Sequence, residues 1–387
     1  MSKVIQILPS IENSGGGVER GSLDIARALI EKGHDSYLLS SGGDMAEKYK
    51  HKGVKNIYLP LKKKNVFSIP KLRSEFFKII QNIKPDIVHI RSRWPAHCFI
   101  GTLTKLGIPI ITTYHGTYSG NDNYFKRNYN KVMIKGDRVI AISQFIYKQI
   151  LEYFPKVKKK LVIINRGIDT NYFNAKSVNP DRKLNVLQGL GFLENQHVIL
   201  LPGRLTRWKG HEIAIKSAKI IKDLRPELNF LFLFVGSHQN KKDYKSSLAK
   251  QIKKNGLENN AIFAGPRMDM PAIYTLADVV LSTSIEPEGF GRVSGEASSM
   301  CKPIISSNLG ASKDIIDNNF TGWLVEPNNP RELAERILEV IDLPQDKKDQ
   351  IGKNAREKIK KSFNLEDMLT KTLNLYEEIL SKKNFNN

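Results

Sequence analysis

Short apolar runs alternate with longer segments of helical period along most of this chain. In the first half the runs fall at residues 4–8, 35–39, 56–59, 86–90, 109–113, 138–141 and 161–164. Between them, stretches such as 18–32 and 69–83 carry apolar residues three and four positions apart. Apolar runs of strand length separated by amphipathic helices predict a parallel sheet covered on both faces. After a polar stretch at 174–182 the pattern restarts, with runs at 198–201, 230–235, 261–264, 279–281, 303–306 and 322–325. The chain thus reads as two α/β domains in succession, each with a doubly wound sheet. The tail from Pro330 is helical, with Leu333, Ile337, Val340 and Ile341 on one face and a further helix over about 365–380. Ligands of open α/β sheets bind beyond the carboxyl ends of the strands, so a cleft between two such domains is expected to hold the chemistry.

The length of 387 residues agrees with that division, at about 100–200 residues per domain. Two cysteines, Cys98 and Cys301, lie far apart, which argues against a disulfide framework and fits a reducing cytoplasm. No Cys/His cluster has zinc-site spacing, and no metal site is expected. The start of the chain reads as a strand rather than a signal peptide. No span of about 20 apolar residues occurs, so no membrane crossing is expected.

Charge changes the picture more. The formal balance is +22, and it is unevenly spread. Residues 1–180 hold 30 Lys+Arg against 13 Asp+Glu, and the rest of the chain 31 against 26. Lys62-Lys63-Lys64, the lysines of 156–160, and the aromatic-basic segment Tyr124-Phe125-Lys126-Arg127 contribute to the excess. Aromatic residues interleaved with cations on a helix suit an anionic lipid surface; a solvated basic face is the plainer alternative. A polybasic surface also attracts nucleic acid, but no helix-turn-helix, zinc-finger or RNP signature accompanies this one, and no nucleic-acid partner is expected.

Candidate chemistry gathers at predicted strand-to-helix junctions. The first is Ser14-Gly15-Gly16-Gly17-Val18-Glu19-Arg20, where consecutive glycines permit close backbone approach to a ligand at a helix start. It matches neither Gly-x-Gly-x-x-Gly nor a P-loop. The second, Gly203-Arg204-Leu205-Thr206-Arg207-Trp208-Lys209-Gly210, places a planar cation and a mobile one within reach of a diphosphate. Such cations stabilise charge that grows on a departing phosphate. The third, Tyr114-His115-Gly116, sets a histidine at a strand end, where it either bonds a substrate or is structural; His89 is a weaker candidate of the same kind. In the fourth, Glu286-Pro287-Glu288-Gly289-Phe290-Gly291-Arg292-Val293-Ser294-Gly295-Glu296, two carboxylates flank a Gly-Phe-Gly turn before a helix. They are spaced for hydroxyl recognition at two places, or for helix capping.

In sequence order, the Gly-rich loop is followed by Lys84-Pro85-Asp86-Ile87-Val88-His89, Thr113-Tyr114-His115-Gly116, Asp137-Arg138-Val139-Ile140-Ala141-Ile142-Ser143 and Asn165-Arg166-Gly167-Ile168-Asp169. Gly203-Arg204 with Lys209-Gly210, and Pro287-Glu288-Gly289-Phe290-Gly291 with Glu296, complete the set. With these motifs the chain resembles the retaining glycosyltransferases of family four over nearly its whole length. The resemblance implies the GT-B architecture of two Rossmann-like domains: residues 1–177 for the acceptor, 178–364 for the nucleotide sugar, and 365–387 as a final helix crossing back to the first domain. It further implies that Arg204 and Lys209 hold the donor diphosphate, that Glu288 with the Phe290 and Gly291 backbone holds the sugar, and that Glu296 binds the ribose. Gly16 and Gly17 would approach the phosphates, His115 the transferred sugar, and Arg267 the nucleobase. Arg292 departs from the apolar residue many relatives have there, and Ser294-Gly295 is smaller than usual; both changes could alter sugar choice.

The expected function is retaining transfer of a hexose or related sugar from a nucleotide-diphosphate sugar to a glycolipid or oligosaccharide acceptor, lipopolysaccharide core being one candidate. No Asp-x-Asp occurs, so the cations replace a bridging metal and no cofactor is expected. The basic excess of the acceptor domain predicts a cytoplasmic protein, peripheral on the inner face of the cell membrane. A sugar-nucleotide epimerase, a glycoside phosphorylase and a non-catalytic polyanion binder remain as alternatives.

Overall fold

The computed structural model describes residues 1–12, 17–50, 52–118, 123–188, 190, 196–238 and 242–384. The chain divides into two compact units, one made of Met1–Arg166 with Glu366–Asn387, the other of Gly167–Leu365. In the first, the strands are β1 (Lys3–Ile7), β2 (Asp35–Ser40), β3 (Lys55–Tyr58), β4 (Ile87–Ile90), β5 (Ile110–Tyr114), β6 (Arg138–Ala141) and β7 (Leu161–Ile163). They form one sheet in the order β3-β2-β1-β4-β5-β6-β7, every described pairing parallel. The second unit holds β8 (His197–Pro202), β9 (Phe230–Val235), β10 (Ala261–Gly265), β11 (Val279–Ser282), β12 (Ile304–Ser307) and β13 (Trp323–Val325). Their order is β10-β9-β8-β11-β12-β13, again parallel.

Burial on both faces accounts for the composition of these strands. All six residues of β9, Phe-Leu-Phe-Leu-Phe-Val, are buried. The second core joins Phe232 and Phe234 to Ile215, Ala218 and Ile221 of the helix His211–Leu224, and to Leu333, Ile337 and Val340 of the helix Pro330–Asp342. In the first unit the helix Ile69–Ile83 buries Leu72, Phe76 and Ile80, the apolar stripe its sequence displays. The ring of Phe76 stacks on that of Phe99 at 4.1 Å.

The strand order of each sheet reverses once, between β1 and β4 and between β8 and β11. At such a switch point the flanking loops leave the sheet in opposite directions and open a crevice at the carboxyl ends of the strands. The second unit's crevice is bounded by the residues after Pro202 and those after Ser282.

The contact division lies between Arg166 and Gly167 rather than at 177/178. The polar stretch 174–182, after which the sequence pattern restarts, folds with the second unit. Asn179 caps the helix Pro180–Leu187 through the Arg182 amide, and Arg182 grips Asp269 with two bonds of 2.7 Å. Upstream, Arg356 donates to the carbonyls of Thr170 and Phe173, and the Phe173 ring meets that of Tyr274 edge-on at 6.1 Å. A run of polar residues is therefore held by caps and guanidinium bonds rather than by an apolar stripe. The last helix, Leu365–Asn384, groups with the first unit from Glu366 onward. There Tyr376 Oη lies 2.6 Å from His89 Nδ1, and Arg138 pairs with Glu378 at 2.7 Å.

Candidate active site in the second unit

The residues after β8 and after β11 are tied to each other by backbone and side-chain bonds. The Ile285 amide donates to the Trp208 carbonyl at 2.8 Å, and Thr283 Oγ1 donates to the carbonyls of Lys209 (3.1 Å) and Gly210 (3.3 Å). Gly210 is required at this crossing. Its φ of 71° lies in the left-handed region, and a Cβ there would stand 1.9 Å from the Thr283 carbonyl oxygen. We expect Gly210→Ala to destabilise the second unit by at least about 2 kcal/mol, from left-handed strain and the enforced displacement of Thr283. Chemical denaturation followed by tryptophan fluorescence measures this; an unchanged midpoint would refute the tight crossing.

The crossing brings Lys209 onto Glu288. The two side chains are only 12% and 13% exposed, and Lys209 Nζ donates to Glu288 Oε1 at 2.7 Å. Ser284 Oγ donates to the same oxygen, and Lys209 Nζ stands 4.3 Å from the centre of the Trp208 ring. Burial alone would push the Glu288 carboxyl upward. The charge and hydrogen bond of Lys209, the Ser284 hydroxyl and the charge of Arg204 outweigh it and hold Glu288 below the usual glutamate range. Glu288 is therefore a carboxylate at neutral pH. Its backbone is fixed as well, since its carbonyl accepts from the Ala311 amide at 3.0 Å and Gly310, at φ 62°, leaves no room for a Cβ beside it.

Beyond Glu288 the chain turns at Gly291, whose φ of 79° starts the helix Arg292–Ser299 without a side-chain cap. No side chain at the cap position competes with a ligand for this helix start. Glu296 lies inside this helix, 8% exposed, with Arg292 one turn earlier. Arg292 Nε and Nη2 donate to Glu296 Oε1 at 3.1 and 2.5 Å, while Tyr274 Oη donates to Oε2 at 3.0 Å. The carboxylate is thereby aimed by two donors from different helices. The small residues between have structural reasons. Ser294 Oγ and Ser306 Oγ are 2.7 Å apart, and a Cβ on Gly295 would come within 2.9 Å of Ile168 Cγ1.

Two cations, two carboxylates and a helix start without a side-chain cap, placed about one switch point, have the chemistry to receive a phosphate-bearing polyol. Comparison with known proteins gives this site a family. The model Glycosyltransferase Family 4 matches residues 15–172, and Glycosyl transferases group 1 matches residues 185–358. A crystal structure of a glycosyltransferase from Rickettsia africae is 33% identical, covers 98% of both chains and superposes with a TM-score of 0.87. The chain belongs to glycosyltransferase family four. Its two sheets give it the GT-B fold shared with Anabaena HepE, solved with UDP-glucose, at 21% identity, TM-score 0.83, 99% of this chain and 100% of the other. An Escherichia coli relative, UDP-Gal:alpha-D-GlcNAc-diphosphoundecaprenol alpha-1,3-galactosyltransferase, is 25% identical over 98% of this chain and 97% of its own.

Within this glycosyltransferase the structure brings together Lys209, Glu288 and, through its charge, Arg204, an exposed residue. Phe290 is buried against Phe363, with ring centres 5.9 Å apart, so its ring serves packing while its backbone stays beside Gly291. Arg267 follows β10 and is half-buried; its Nε has no partner among the described residues. Gly16 lies outside the described residues, and Gly17 begins the helix Gly17–Glu31 of the first unit. His115, also in the first unit, keeps a buried Nε2 without a described partner. Burial first, then the charges of Arg91, Arg166 and His89, hold it well below the usual histidine range, so its imidazole is neutral. His89 is structural, its two nitrogens 2.6 Å from Tyr376 Oη and Thr113 Oγ1.

Sequence reasoning missed Ser284, Thr283 and Tyr274. The serine and threonine looked like loop residues, and Tyr274 stands among apolar neighbours that read as core. Its hydroxyl, buried with Glu296 as partner, is the part periodicity hides; burial and that carboxylate raise it well above the usual tyrosine range. Among the described residues no group of three or more His, Cys, Asp and Glu is placed to hold a metal ion.

Proposed function

We propose that the chain transfers a hexose or related sugar from a nucleotide-diphosphate donor to a lipid-linked or oligosaccharide acceptor, with retention at the anomeric carbon. The observation that carries this reading is the Lys209–Glu288 pair beside Arg204 at the switch point of β8 and β11. A diphosphate at the crevice would draw Lys209 and Arg204, freeing Glu288 oxygens for sugar hydroxyls. Negative charge growing on the leaving phosphate is then met by fixed cations in a partly buried site, where each is worth far more than in water. The leaving phosphate itself takes the acceptor's proton as the acceptor oxygen attacks from the same face. One C–O bond forms, the bond to the diphosphate breaks, and the proton ends on the released nucleotide. Glu296, aimed by Arg292 and Tyr274, is assigned the ribose hydroxyls, and Arg267 the nucleobase. Gly16, Gly17 and His115 enter the proposal through the family likeness alone.

The test is incubation of the full chain with a panel of nucleotide sugars and a membrane lipid extract, with nucleotide release and product mass followed together. Acceptor-dependent product that persists in EDTA is the expected result. Isomerised donor without acceptor, or turnover that needs free phosphate, would replace this reading by an epimerase or a phosphorylase.

The galactosyltransferase relative is named for a diphosphoundecaprenol-linked acceptor; a lipid-linked acceptor here would bring the protein to a membrane. Among the described residues no helix is long and apolar enough to cross one. The first unit instead exposes Phe67 (90%), Phe125 (81%) and Tyr124 (68%) close in sequence to Lys62, Lys63, Lys64, Lys126 and Arg127. Exposed rings flanked by cations suit the headgroup region of anionic lipid. Liposome sedimentation is expected to pellet the protein with anionic vesicles and not with neutral ones. Equal pelleting would count against peripheral attachment.

A further inference from the structure

The first unit has a switch point of its own, between β1 and β4. The Arg91 amide extends that pairing to the Ile7 carbonyl at 2.9 Å, so Ser92 and Arg93 leave the sheet at its carboxyl edge, where ligands of such sheets bind. The residues after β5 leave at the same edge, because β4 and β5 are parallel neighbours. Arg93 opens the helix Arg93–Lys105, and its guanidinium carbon stands 4.1 Å from the centre of the Tyr118 ring and 5.6 Å from that of Tyr129. A cation from the loop after β4 thus rests on an aromatic ring from the loop after β5.

The rings are held in turn. Tyr118 packs on Tyr114 with centres 4.5 Å apart, and Tyr129 stacks on His97 at 4.3 Å. Arg93 Nη1 donates to Oδ1 of the buried Asn130 at 2.6 Å. Two aromatic faces and one amide therefore fix the guanidinium plane, while Nε and Nη2 bond nothing among the described residues and the side chain is half-buried. No carboxylate among the described residues pairs with Arg93, and residues 87–136 hold seven Lys+Arg against a single acid, Asp122. Burial first, then the charges of Lys135 and Arg93, hold His97 below the usual histidine range despite its bond to the Tyr129 carbonyl, so it adds no competing acceptor charge. Stacking orients a guanidinium without using its N–H edge, and that edge has the planar, two-pronged shape that matches a phosphate.

We propose that Arg93, on its Tyr118 platform, recognises the acceptor, and that the acceptor carries a phosphate group, as a sugar phosphate or a lipid-diphosphate sugar does. The inference rests on the sugar-transfer reading and narrows its acceptor from any glycolipid or oligosaccharide to a phosphorylated one. The phosphate is held and not reacted: Nε and Nη2 give parallel bonds to two of its oxygens, and it stays on the product.

Tungstate is the first probe, because it has the tetrahedral shape and charge of phosphate and scatters anomalously. In crystals of the full chain soaked in sodium tungstate, a peak is expected within hydrogen-bond reach of Arg93 Nε and Nη2, and none there in Arg93→Met. Tungstate beside Lys209 and Arg204 but absent beside Arg93, or a peak beside Arg93 that persists in the variant as an adventitious ion only, would overturn the proposal. Steady-state transfer is then measured with a panel of hexoses and N-acetylhexosamines, each as free sugar, sugar phosphate, octyl glycoside and farnesyl-diphosphate derivative. One phosphate-bearing form is expected to be preferred, the farnesyl one marking a lipid carrier and the soluble one a free sugar phosphate. Arg93→Met should raise the KM of that acceptor about 10- to 100-fold and narrow its preference over the phosphate-free form by the same factor. Arg93→Lys, which keeps the charge but not the fork, should show a smaller shift of the same kind, and it carries the comparison if Arg93→Met does not fold. An equal rise in KM for both forms, or a preference for phosphate-free acceptors, would refute the role given to Arg93 while leaving sugar transfer standing. Product from no acceptor at all would sink the transfer reading and the acceptor role with it.

Discussion

In Lys209→Ala, sugar transfer is expected to slow about 10²- to 10³-fold, the loss typical of removing one fixed donor from developing transition-state charge. Glu288→Gln should cost a similar factor, and the double variant much less than the product of the two. Nζ and Oε1 are 2.7 Å apart, so each single change strips the other residue of its paired opposite charge. Additive losses would show that the two side chains act separately, against their assignment to one site. Acidity gives a second readout. Glu288 lies below the usual glutamate range because Lys209, Ser284 and Arg204 together outweigh burial. A depressed carboxyl contributes stability that is fully present above its unfolded value, about 4.3, and is lost as pH falls through the lower folded value. Activity should therefore show no Glu288 titration between pH 7 and pH 5. In Lys209→Ala the same carboxyl loses its nearest cation while its burial remains, and the acid limb of the kcat/KM profile should move upward. An unmoved limb would mean that the pair does not set the ionisation of Glu288.

Glu296→Gln is expected to raise the donor KM about 10- to 100-fold with little change in kcat, since a bond to a charged group contributes about 1.5–3 kcal/mol. The substitution leaves the helix and its burial unchanged but removes the charge that Arg292 and Tyr274 orient. Arg292→Met, which frees Oε1 while Tyr274 still holds Oε2, should give a smaller increase of the same kind. The pattern to look for in steady-state kinetics is a KM effect graded from Arg292 to Glu296. A kcat effect of equal size in both variants would move Glu296 from binding the donor to the chemical step. The reading also gives Arg292, odd in the sequence, a positioning task; its guanidinium fixes a neighbour one helical turn away.

The regular elements were legible because burial dictates them. The helix Ile69–Ile83 has the bounds its stripe predicts, and Phe230–Val235 is an unbroken apolar run because both faces of β9 are covered. The contact division at 166/167 was not legible for the converse reason. Residues 167–182 are joined to the rest of the second unit by Arg356 and Arg182, whose bonds to distant carbonyls and to the Asp269 carboxylate leave no periodic trace. At the site, Lys209 and Glu288 stood out as charges placed after apolar runs, whereas their mutual contact and the service of Ser284 depend on a crossing of two loops distant in sequence. His89 shows the opposite ambiguity. A histidine at a strand end has one appearance in sequence, whether it faces a ligand or, as here, a tyrosine of the last helix.

Where the chain passes into the second unit and out of it also orders its birth. The Ile168 amide donates to the Phe363 carbonyl, the Leu365 amide returns to the Ile168 carbonyl at 3.0 Å, and Ile168 pairs with Asn364 in a parallel bridge. The second unit is thus a closed excursion from the first, begun and ended at one spot. A ribosome releases all of it before the helix Leu365–Asn384, which carries the tyrosine that meets His89. The second unit can then be complete on a nascent chain while the first, begun earlier, still waits for its last segment.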